Sequence, residues 1–137
     1  MKFVLDASVA LKTVLKEPDS SAAIALRDDF KNLIHQLIAP DTLPIEIAHA
    51  LTRAERRGVI PLGQGSLLFA HFLDPCPLLY PYGDLIDRAM ELSSKMRIGV
   101  FDCLYVALAE EEECKVVSAD QKLVELFPDH AVSLASL

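Results

Sequence analysis

The sequence predicts an α/β domain with a mainly parallel sheet. Short apolar runs alternate with segments of helical periodicity along the whole chain, which is the pattern of strands joined by helical crossovers. The chain has 137 residues, and domains span roughly 100–200 residues, so we expect a single domain over residues 1–137. An apolar content of 52% is enough for a core that needs neither disulfides nor a structural zinc.

The first half of the chain contains two predicted strands. Phe3–Leu5 is an apolar run that ends at Asp6, and a helix is expected to follow over Val9–Lys16 and to stop near Pro18. The other elements expected in this half are a helix capped by Ser20 or Ser21, a strand over His35–Ala39, a helix that begins at Asp41–Pro44 and ends near Gly58, and a weaker helix over Leu62–Leu73.

The second half contains the most apolar helix. Val100–Ala109 is apolar or nearly so at every position except Asp102, which is typical of a helix buried in the middle of a domain. The other elements expected here are a strand over Leu78–Tyr80, a helix that follows a capping Asp84, a strand over Lys115–Ser118, a helix over Lys122–Leu126 and a last strand over Ala131–Leu134.

Composition excludes several classes of protein. Thirteen Lys and Arg against 20 Asp and Glu give a net charge of −7, which argues against a protein that coats nucleic acid indiscriminately. No apolar run reaches the roughly 18 residues of a membrane helix, and Asp6 interrupts any signal-peptide core. The three cysteines form no CxxC pair and indicate neither a disulfide framework nor a zinc site. We therefore expect a soluble, cytoplasmic protein.

Four carboxylates occupy positions that a parallel sheet could bring together. Asp6 and Asp120 each follow a predicted strand, and ligands of open parallel sheets bind beyond the carboxyl ends of the strands. Asp102 begins the buried helix, where an unpaired carboxylate loses hydration. Glu46 lies in the first turn of its own helix. Each residue taken alone also suits a helix cap or a helix dipole, so a purely structural interpretation stays open.

If the four carboxylates converge, they need a cation. Like charges a few ångström apart repel and raise one another's pKa. Mg²⁺ and Mn²⁺ prefer carboxylate and water oxygens as ligands. Such an ion polarises a phosphoryl oxygen and activates water. Convergence therefore implies metal-dependent hydrolysis of a phosphodiester.

The helix that carries Glu46 also carries basic residues. Glu46, His49, Arg53 and Arg57 are spaced by three, four and four, and fall on one side of the helix, with Arg56 nearby. One interpretation is a strip that guides RNA phosphates through Arg53 and Arg57. The other is an ordinary solvated face with Glu–Arg pairing.

Four segments resemble the PIN-domain family. They are, in chain order, Phe3–Ser8, Ala39–Pro40 with Leu43–Glu46, Phe101–Ala109 and Val117–Asp120. In this order and at these separations they are most similar to the VapC-like toxins of bacterial toxin–antitoxin pairs. The resemblance implies a three-layer α/β/α sandwich with a central, mainly parallel sheet. It also implies a ribonuclease that uses Mg²⁺ or Mn²⁺.

The resemblance assigns roles to individual residues. The catalytic and metal-binding set that it implies is Asp6, Glu46, Asp102 and Asp120. Ser8 and Ser118 match hydroxyl positions of the family and are expected to support the site. The family often carries Ser or Thr shortly before the third acid, where this chain has Gly99. We expect this difference to affect the support of the site rather than the metal ligands.

The resemblance also implies partners. Members of the toxin branch usually dimerise and are blocked by an antitoxin, so we expect a homodimer, an antitoxin and an RNA substrate, and no membrane. The alternatives are a non-catalytic PIN-like binding protein and a nuclease without an antitoxin. A phosphoryl-accepting receiver domain is disfavoured because Ala7, not a second acid, follows Asp6. A haloacid-dehalogenase-type phosphatase is disfavoured because Ser8 stands where a second Asp is required.

Overall fold

A computed structural model describes all 137 residues, and its strands form one parallel sheet. The strands are β1 (Lys2–Leu5), β2 (Gln36–Pro40), β3 (Leu78–Tyr80), β4 (Lys115–Ser118) and β5 (Ala131–Ser133). Their order across the sheet is β3-β2-β1-β4-β5, and every neighbouring pair is parallel. The direction of winding therefore reverses between β1 and β4, which is where open α/β sheets bind ligands.

Seven helices connect the strands. They are α1 (Ala7–Lys12), α2 (Ser20–Lys31), α3 (Leu43–Arg56), α4 (Gln64–Phe72), α5 (Ile86–Met96), α6 (Val100–Glu111) and α7 (Gln121–Leu126). Helices α1 to α4 pack on one another, and α5 packs on α6. Because crossovers between parallel strands are right-handed, the reversal of winding puts these two groups on opposite faces of the sheet. The expected α/β/α sandwich is confirmed, and no helix has the length and apolar character needed to cross a membrane.

Helix α6 lies in the middle of the core. Its residues Cys103–Ala109 are all buried, and the helix packs against β1, β2 and β4. The expected buried helix is therefore confirmed, with the exception of Phe101, which is 54% exposed. The first turn of α6 lies at the surface while the rest is enclosed, so Asp102 is held at the boundary between core and solvent. All three cysteines are free, as the sequence indicated.

Several predicted helix ends are wrong for local reasons. Helix α1 ends at Lys12 rather than Lys16, because the backbone N–H and hydroxyl of Thr13 both turn back to the carbonyl of Ala10. Asp19, rather than a serine, precedes α2, and the Ser20 hydroxyl instead contacts the preceding loop at Glu17 and Leu15. Polar contacts within the loops therefore decide where these two helices stop and start.

Two predicted caps are also wrong. Asp84 belongs to a short 3₁₀ turn, Tyr82–Asp84, and no side chain caps α5. Asp41 does not cap α3, since its Oδ1 accepts a hydrogen bond from the backbone N–H of Tyr82 at 2.9 Å. Pro44 does lie in the first turn of α3, and Gly58 follows the helix with a φ of +72°, as glycine permits.

Candidate active site at the carboxyl edge of the sheet

Asp6 ends the central strand and is almost completely enclosed, with 5% of its surface exposed. It holds the N-cap position of α1, but its carboxylate caps no backbone N–H of that helix. Its Oδ2 instead accepts hydrogen bonds from the hydroxyls of Ser8, at 2.5 Å, and Ser118, at 2.9 Å. Capping is at most a minor role of Asp6, since the backbone N–H of Ser8 lowers its pKa less than the Ser8 and Ser118 hydroxyls do. Both serines that the sequence singled out contact this carboxylate.

The hydroxyls of Ser8 and Ser118 connect the start of α1, just after β1, with the end of β4. Ser8 Oγ and Ser118 Oγ lie 3.4 Å apart. The first accepts a hydrogen bond from Ala119 N at 3.0 Å, and the second accepts one from Asp120 N at 2.9 Å. The hydrogen bonds that the two serines donate to Asp6 both end at its Oδ2. Its Oδ1 has no hydrogen-bond partner in the protein and is not sealed from solvent.

Asp120 is exposed and caps helix α7. Its Oδ1 accepts hydrogen bonds from the backbone N–H groups of Lys122, at 3.0 Å, and Leu123, at 3.4 Å. The capping interpretation is thus correct for Asp120, although it occupies only one carboxylate oxygen. Its Oδ2 has no partner in the protein, so the cap fixes the residue in place without using up its capacity to bind a ligand.

The carboxylate of Asp102 accepts no hydrogen bond from any other protein group. The N-cap of α6 is Gly99, and no side chain caps this helix. The capping interpretation is therefore wrong for Asp102. Burial raises the pKa of its carboxyl group, and the nearby charges of Asp6 and Asp120 raise it further, while the positive charge of Lys122 acts in the opposite direction.

Glu46 is held by two hydroxyls. Its Oε1 accepts hydrogen bonds from Tyr105 Oη at 3.1 Å and from Thr42 Oγ1 at 3.3 Å. Burial raises the pKa of Glu46 to about 7, helped by the charges of Asp6 and Asp102 and opposed by the two hydrogen bonds. Sequence reasoning missed Tyr105 as a functional contact. The available signal was a tyrosine inside an otherwise buried apolar helix, because a buried hydroxyl needs a partner.

The four predicted carboxylates share one electrostatic environment. Asp120 raises the pKa of Asp6, and Asp6 and Asp102 both raise that of Glu46. A group of acidic side chains with so little positive charge among them suits a hard divalent cation. As the side chains stand, however, no three His, Cys, Asp or Glu residues are arranged to hold a metal ion. The donor chemistry thus fits such an ion, and binding one requires the carboxylates to move closer together.

The basic strip on α3 lies apart from these carboxylates. His49, Arg53 and Arg57 are exposed, and none of them pairs with Glu46 or any other acid. The face is therefore solvent-exposed, as the alternative predicts, but the Glu–Arg pairing of that alternative is absent. At 1.5 Å per residue, Arg57 lies about 16 Å along the helix from Glu46. Guidance of RNA by Arg53 and Arg57 stays a prediction.

A cleft opens beside Asp102 and Asp120. Its walls are Arg97, Ile98, Gly99, Asp102, Asp120, Lys122, Leu123 and Leu126. Two basic side chains therefore lie in the same depression as two of the carboxylates. The sequence analysis singled out neither Arg97 nor Lys122, because they lie on separate segments, the link between α5 and α6 and the first turn of α7.

Known proteins match the chain over nearly its full length. Residues 3–126 match the family model of the PIN domain. Ribonuclease VapC3 from Pyrobaculum aerophilum is 30% identical over 130 residues, which cover 93% of this chain and 96% of the relative. Sequence similarity therefore extends across all four segments that carry the predicted acids.

Two solved structures share the fold. The crystal structure of PAE2754 from Pyrobaculum aerophilum superposes with a TM-score of 0.72 at 17% identity, covering 99% of this chain and 94% of the other. VapBC2 from Rickettsia felis, solved bound to a DNA fragment from their promoter, gives 0.69 at 16% identity, covering 97% and 98%. Fold, sequence match and the order of the four acidic segments agree, and the chain belongs to the PIN-domain family.

Proposed function

We propose that this protein is a Mg²⁺- or Mn²⁺-dependent endoribonuclease that hydrolyses RNA phosphodiester bonds and acts as the toxin of a toxin–antitoxin pair. The observation that carries the proposal is the group of four carboxylates at the carboxyl edge of the sheet, where Asp6, Asp102 and Asp120 raise the pKa of neighbouring carboxyl groups. The name of the relative Ribonuclease VapC3 supports RNA as the substrate.

The roles of the residues follow from their contacts. Asp6, Asp102 and Asp120 would hold the ion, with Glu46 bound directly or through water. When bound, the ion supplies a Lewis acid for the phosphoryl oxygen and lowers the pKa of water. Ser8 and Ser118 restrain Asp6 through Oδ2, which leaves Oδ1 for the ion. The cap of α7 restrains Asp120 in the same way.

Tyr105 and Thr42 position Glu46. Both donate to Oε1, so Oε2 is the oxygen that faces no donor in the protein. In the metal-free protein the pKa of Glu46 is raised to about 7, and a bound cation would lower it, so Glu46 would release its proton as the ion binds. Tyr105 is buried in the core, so one of the two hydroxyls that hold this carboxyl group has a fixed position.

The proposal includes partners and a location. We expect a homodimer in the cytoplasm and a small antitoxin protein that blocks the acidic site. The VapBC2 structure, a neighbour in fold, supports a protein partner of this kind. A short reading frame beside the gene that encodes a small DNA-binding protein is the expected sign of an antitoxin.

A nuclease assay tests the proposed activity. Purified protein is incubated with single-stranded RNA in EDTA, in Mg²⁺ and in Mn²⁺, and the products are separated by size. We expect internal cleavage with either ion and none in EDTA. Cleavage that persists in EDTA contradicts the metal-dependent mechanism, and an intact substrate under all three conditions favours the non-catalytic binding protein.

The toxin role needs a separate measurement. Induced expression of the chain in a bacterial host is expected to stop growth, and expression of the protein encoded beside it is expected to restore growth. Growth that continues despite soluble, active protein leaves a nuclease without a toxin role.

A further inference from the structure

The cleft beside Asp102 and Asp120 contains two basic side chains that form no direct ion pair. Arg97 and Lys122 are both exposed, and neither takes part in an ion pair. Unpaired basic residues also occur elsewhere on the surface, but Arg97 and Lys122 share one cleft with two of the carboxylates. Neither side chain donates a hydrogen bond to a carboxylate of the protein, so both can contact an anion from outside.

Arg97 occupies a backbone conformation that favours another residue type. It ends α5 with a φ of 59° and a ψ of 46°, a left-handed conformation in which glycine is the usual residue. The backbone there is held in place, since Arg97 N donates to Ser93 O at 2.9 Å and Ser93 Oγ donates to Ile98 O at 2.5 Å. Arginine does not stabilise this left-handed backbone conformation. Its side chain extends from a backbone position that these hydrogen bonds hold in place.

Lys122 is fixed by the same carboxylate that faces the cleft. Its backbone N–H donates to Asp120 Oδ1, and the next residue, Leu123, is buried in the core. The lysine side chain therefore starts from a rigid first turn of α7. Arg97 and Lys122 reach one cleft from two well-held segments, which lowers the entropy lost when both contact a ligand.

Charge determines which ligand this cleft can accept. The carboxylates repel the phosphates of a polynucleotide, and the whole chain carries a net charge of −7. RNA can approach only where basic groups offset this repulsion. A guanidinium matches a phosphate with a two-pronged contact, and an ammonium adds a point charge. Resting on the proposed ribonuclease function, we propose that Arg97 and Lys122 bind the RNA phosphate next to the one that is cleaved.

The experiment compares RNA affinity among charge variants. The probe is a fluorescein-labelled single-stranded RNA, and anisotropy is measured in EDTA, where cleavage does not occur, over a series of salt concentrations. Arg97→Gln and Lys122→Gln are each expected to weaken affinity about fivefold to tenfold at low salt, and to reduce the salt slope by about 0.7 for one lost phosphate contact. Lys95→Gln is the matched control, because Lys95 is exposed, unpaired and outside the cleft.

A second substitution separates binding from structure. Arg97→Gly places the preferred residue in the left-handed conformation, so its melting temperature is expected to rise by about 3 °C. Its RNA affinity is expected to fall as in Arg97→Gln. A structural role for Arg97 alone cannot produce higher stability together with weaker RNA binding.

The outcomes also separate this proposal from the nuclease proposal. Weaker binding confined to the Arg97 and Lys122 variants supports the phosphate contact. An equal loss in Lys95→Gln, or no loss in any variant, overturns it. If the cleft variants lose RNA affinity but the wild-type protein cuts no RNA with Mg²⁺ or Mn²⁺, the nuclease function fails while the phosphate contact stands.

Discussion

Arg27 and the acidic site are two charged regions that the fold treats in opposite ways. Arg27, on α2, is 9% exposed. Its guanidinium donates to the carbonyl oxygens of His71, at 2.6 Å, and Asp74, and lies 2.7 Å from His71 Nε2. At the acidic site, by contrast, Asp102 has no partner at all, and Asp6 and Asp120 each use one oxygen only.

The difference indicates what each region is for. The charge of Arg27 is satisfied by fixed dipoles of the protein itself, so that it ties α2 to the end of α4 and the loop behind it. The carboxylates are left with too few donors and raise one another's pKa. Arg27 is therefore structural, whereas the acidic site, with more negative than positive charge, suits the cation that we propose.

Removing one carboxylate is expected to have the largest effect. If the proposed metal site is correct, Asp102→Asn should lower the rate of RNA cleavage at least about 100-fold, because the proposed ion loses a ligand. In EDTA its stability should equal or slightly exceed that of the wild type, since one repelling charge is gone. Asp87→Asn is the matched control, because Asp87 also lies in the first turn of its helix but is exposed on α5.

Thermal unfolding with added Mg²⁺ sharpens the same comparison. At an ion concentration of about 100 times Kd, linkage adds about 2.7 kcal/mol to the stability of the wild type. The gain should be much smaller for Asp102→Asn and unchanged for Asp87→Asn. If Asp102→Asn loses much stability in EDTA, Asp102 stabilises the fold, as Arg27 does, and does not serve mainly to bind an ion.

Removing the charge of Arg27 is expected to affect folding instead. Arg27→Met leaves the carbonyl of Asp74 without a donor and leaves that of His71 only the backbone N–H of Asp74, which should cost about 2–4 kcal/mol of unfolding free energy. Urea denaturation measures this cost. Arg53→Met, an exposed arginine without an ion pair, should stay within about 0.5 kcal/mol of the wild type. A cost below about 1 kcal/mol for Arg27→Met contradicts a structural role.

The two regions also differ in how far the sequence predicted them. Local sequence features predict three of the acids: Asp6 and Asp120 follow strands, and Glu46 lies in the first turn of a helix. The parallel order of the strands then places all three at one edge of the sheet. Arg27 has no such local feature. Its partners lie 44 and 47 residues further along the chain, in a turn whose path no short motif encodes. Residue types and hydrophobic periodicity predict helices, strands and the residues at the edge of the sheet. They do not predict which distant carbonyl group a side chain will contact.

The same reason explains what was missed within the acidic site. The contact between Tyr105 and Glu46 spans 59 residues and depends on how α3 packs against α6. Arg97 and Lys122 meet only because α5, α6 and α7 border one cleft. The layered fold and the order of the acidic segments were predictable because each rests on a local pattern or a family resemblance. The caps of α2 and α5 were not, since loop contacts decided them.

The acidic site should also make the metal-free protein sensitive to pH. The folded pKa of Glu46, about 7, exceeds its ordinary value of 4.5, so the folded state binds more protons between these values. Stability in EDTA should therefore fall as the pH rises from about 4.5 to 7. We expect a change of about 1 kcal/mol after allowing for solvent screening. The raised pKa values of Asp6 and Asp102 act with the same sign.

Melting temperatures measured in EDTA across this pH range test the effect. Glu46→Gln should flatten the dependence, because the amide does not titrate. An identical pH profile for the wild type and Glu46→Gln shows that Glu46 titrates alike in both states, and removes it from the group of mutually repelling carboxylates.

The smallest effect concerns the helix end that presents Asp102. Gly99 has the φ of −61° and ψ of 145° of an N-cap, and an added Cβ meets no atom within 4 Å. Gly99→Ser should therefore gain a few tenths of a kcal/mol, about 1 °C in melting temperature, by capping α6. Gly63→Ser is the contrasting variant, because Gly63 precedes α4 with a φ of 90°, where a serine is strained and should destabilise. Equal effects of the two variants contradict this account.

The hydrogen bond from Ser118 to Asp6 joins residues that are 112 positions apart. During translation, β1 has no β4 beside it and Asp6 lacks one of its two hydroxyl partners until the ribosome has released the segment Lys115–Ser118. Asp120 follows two residues later. A growing polypeptide thus cannot assemble the acidic site until Asp120 has left the ribosome, so a nascent chain that stops short of this residue lacks the proposed activity.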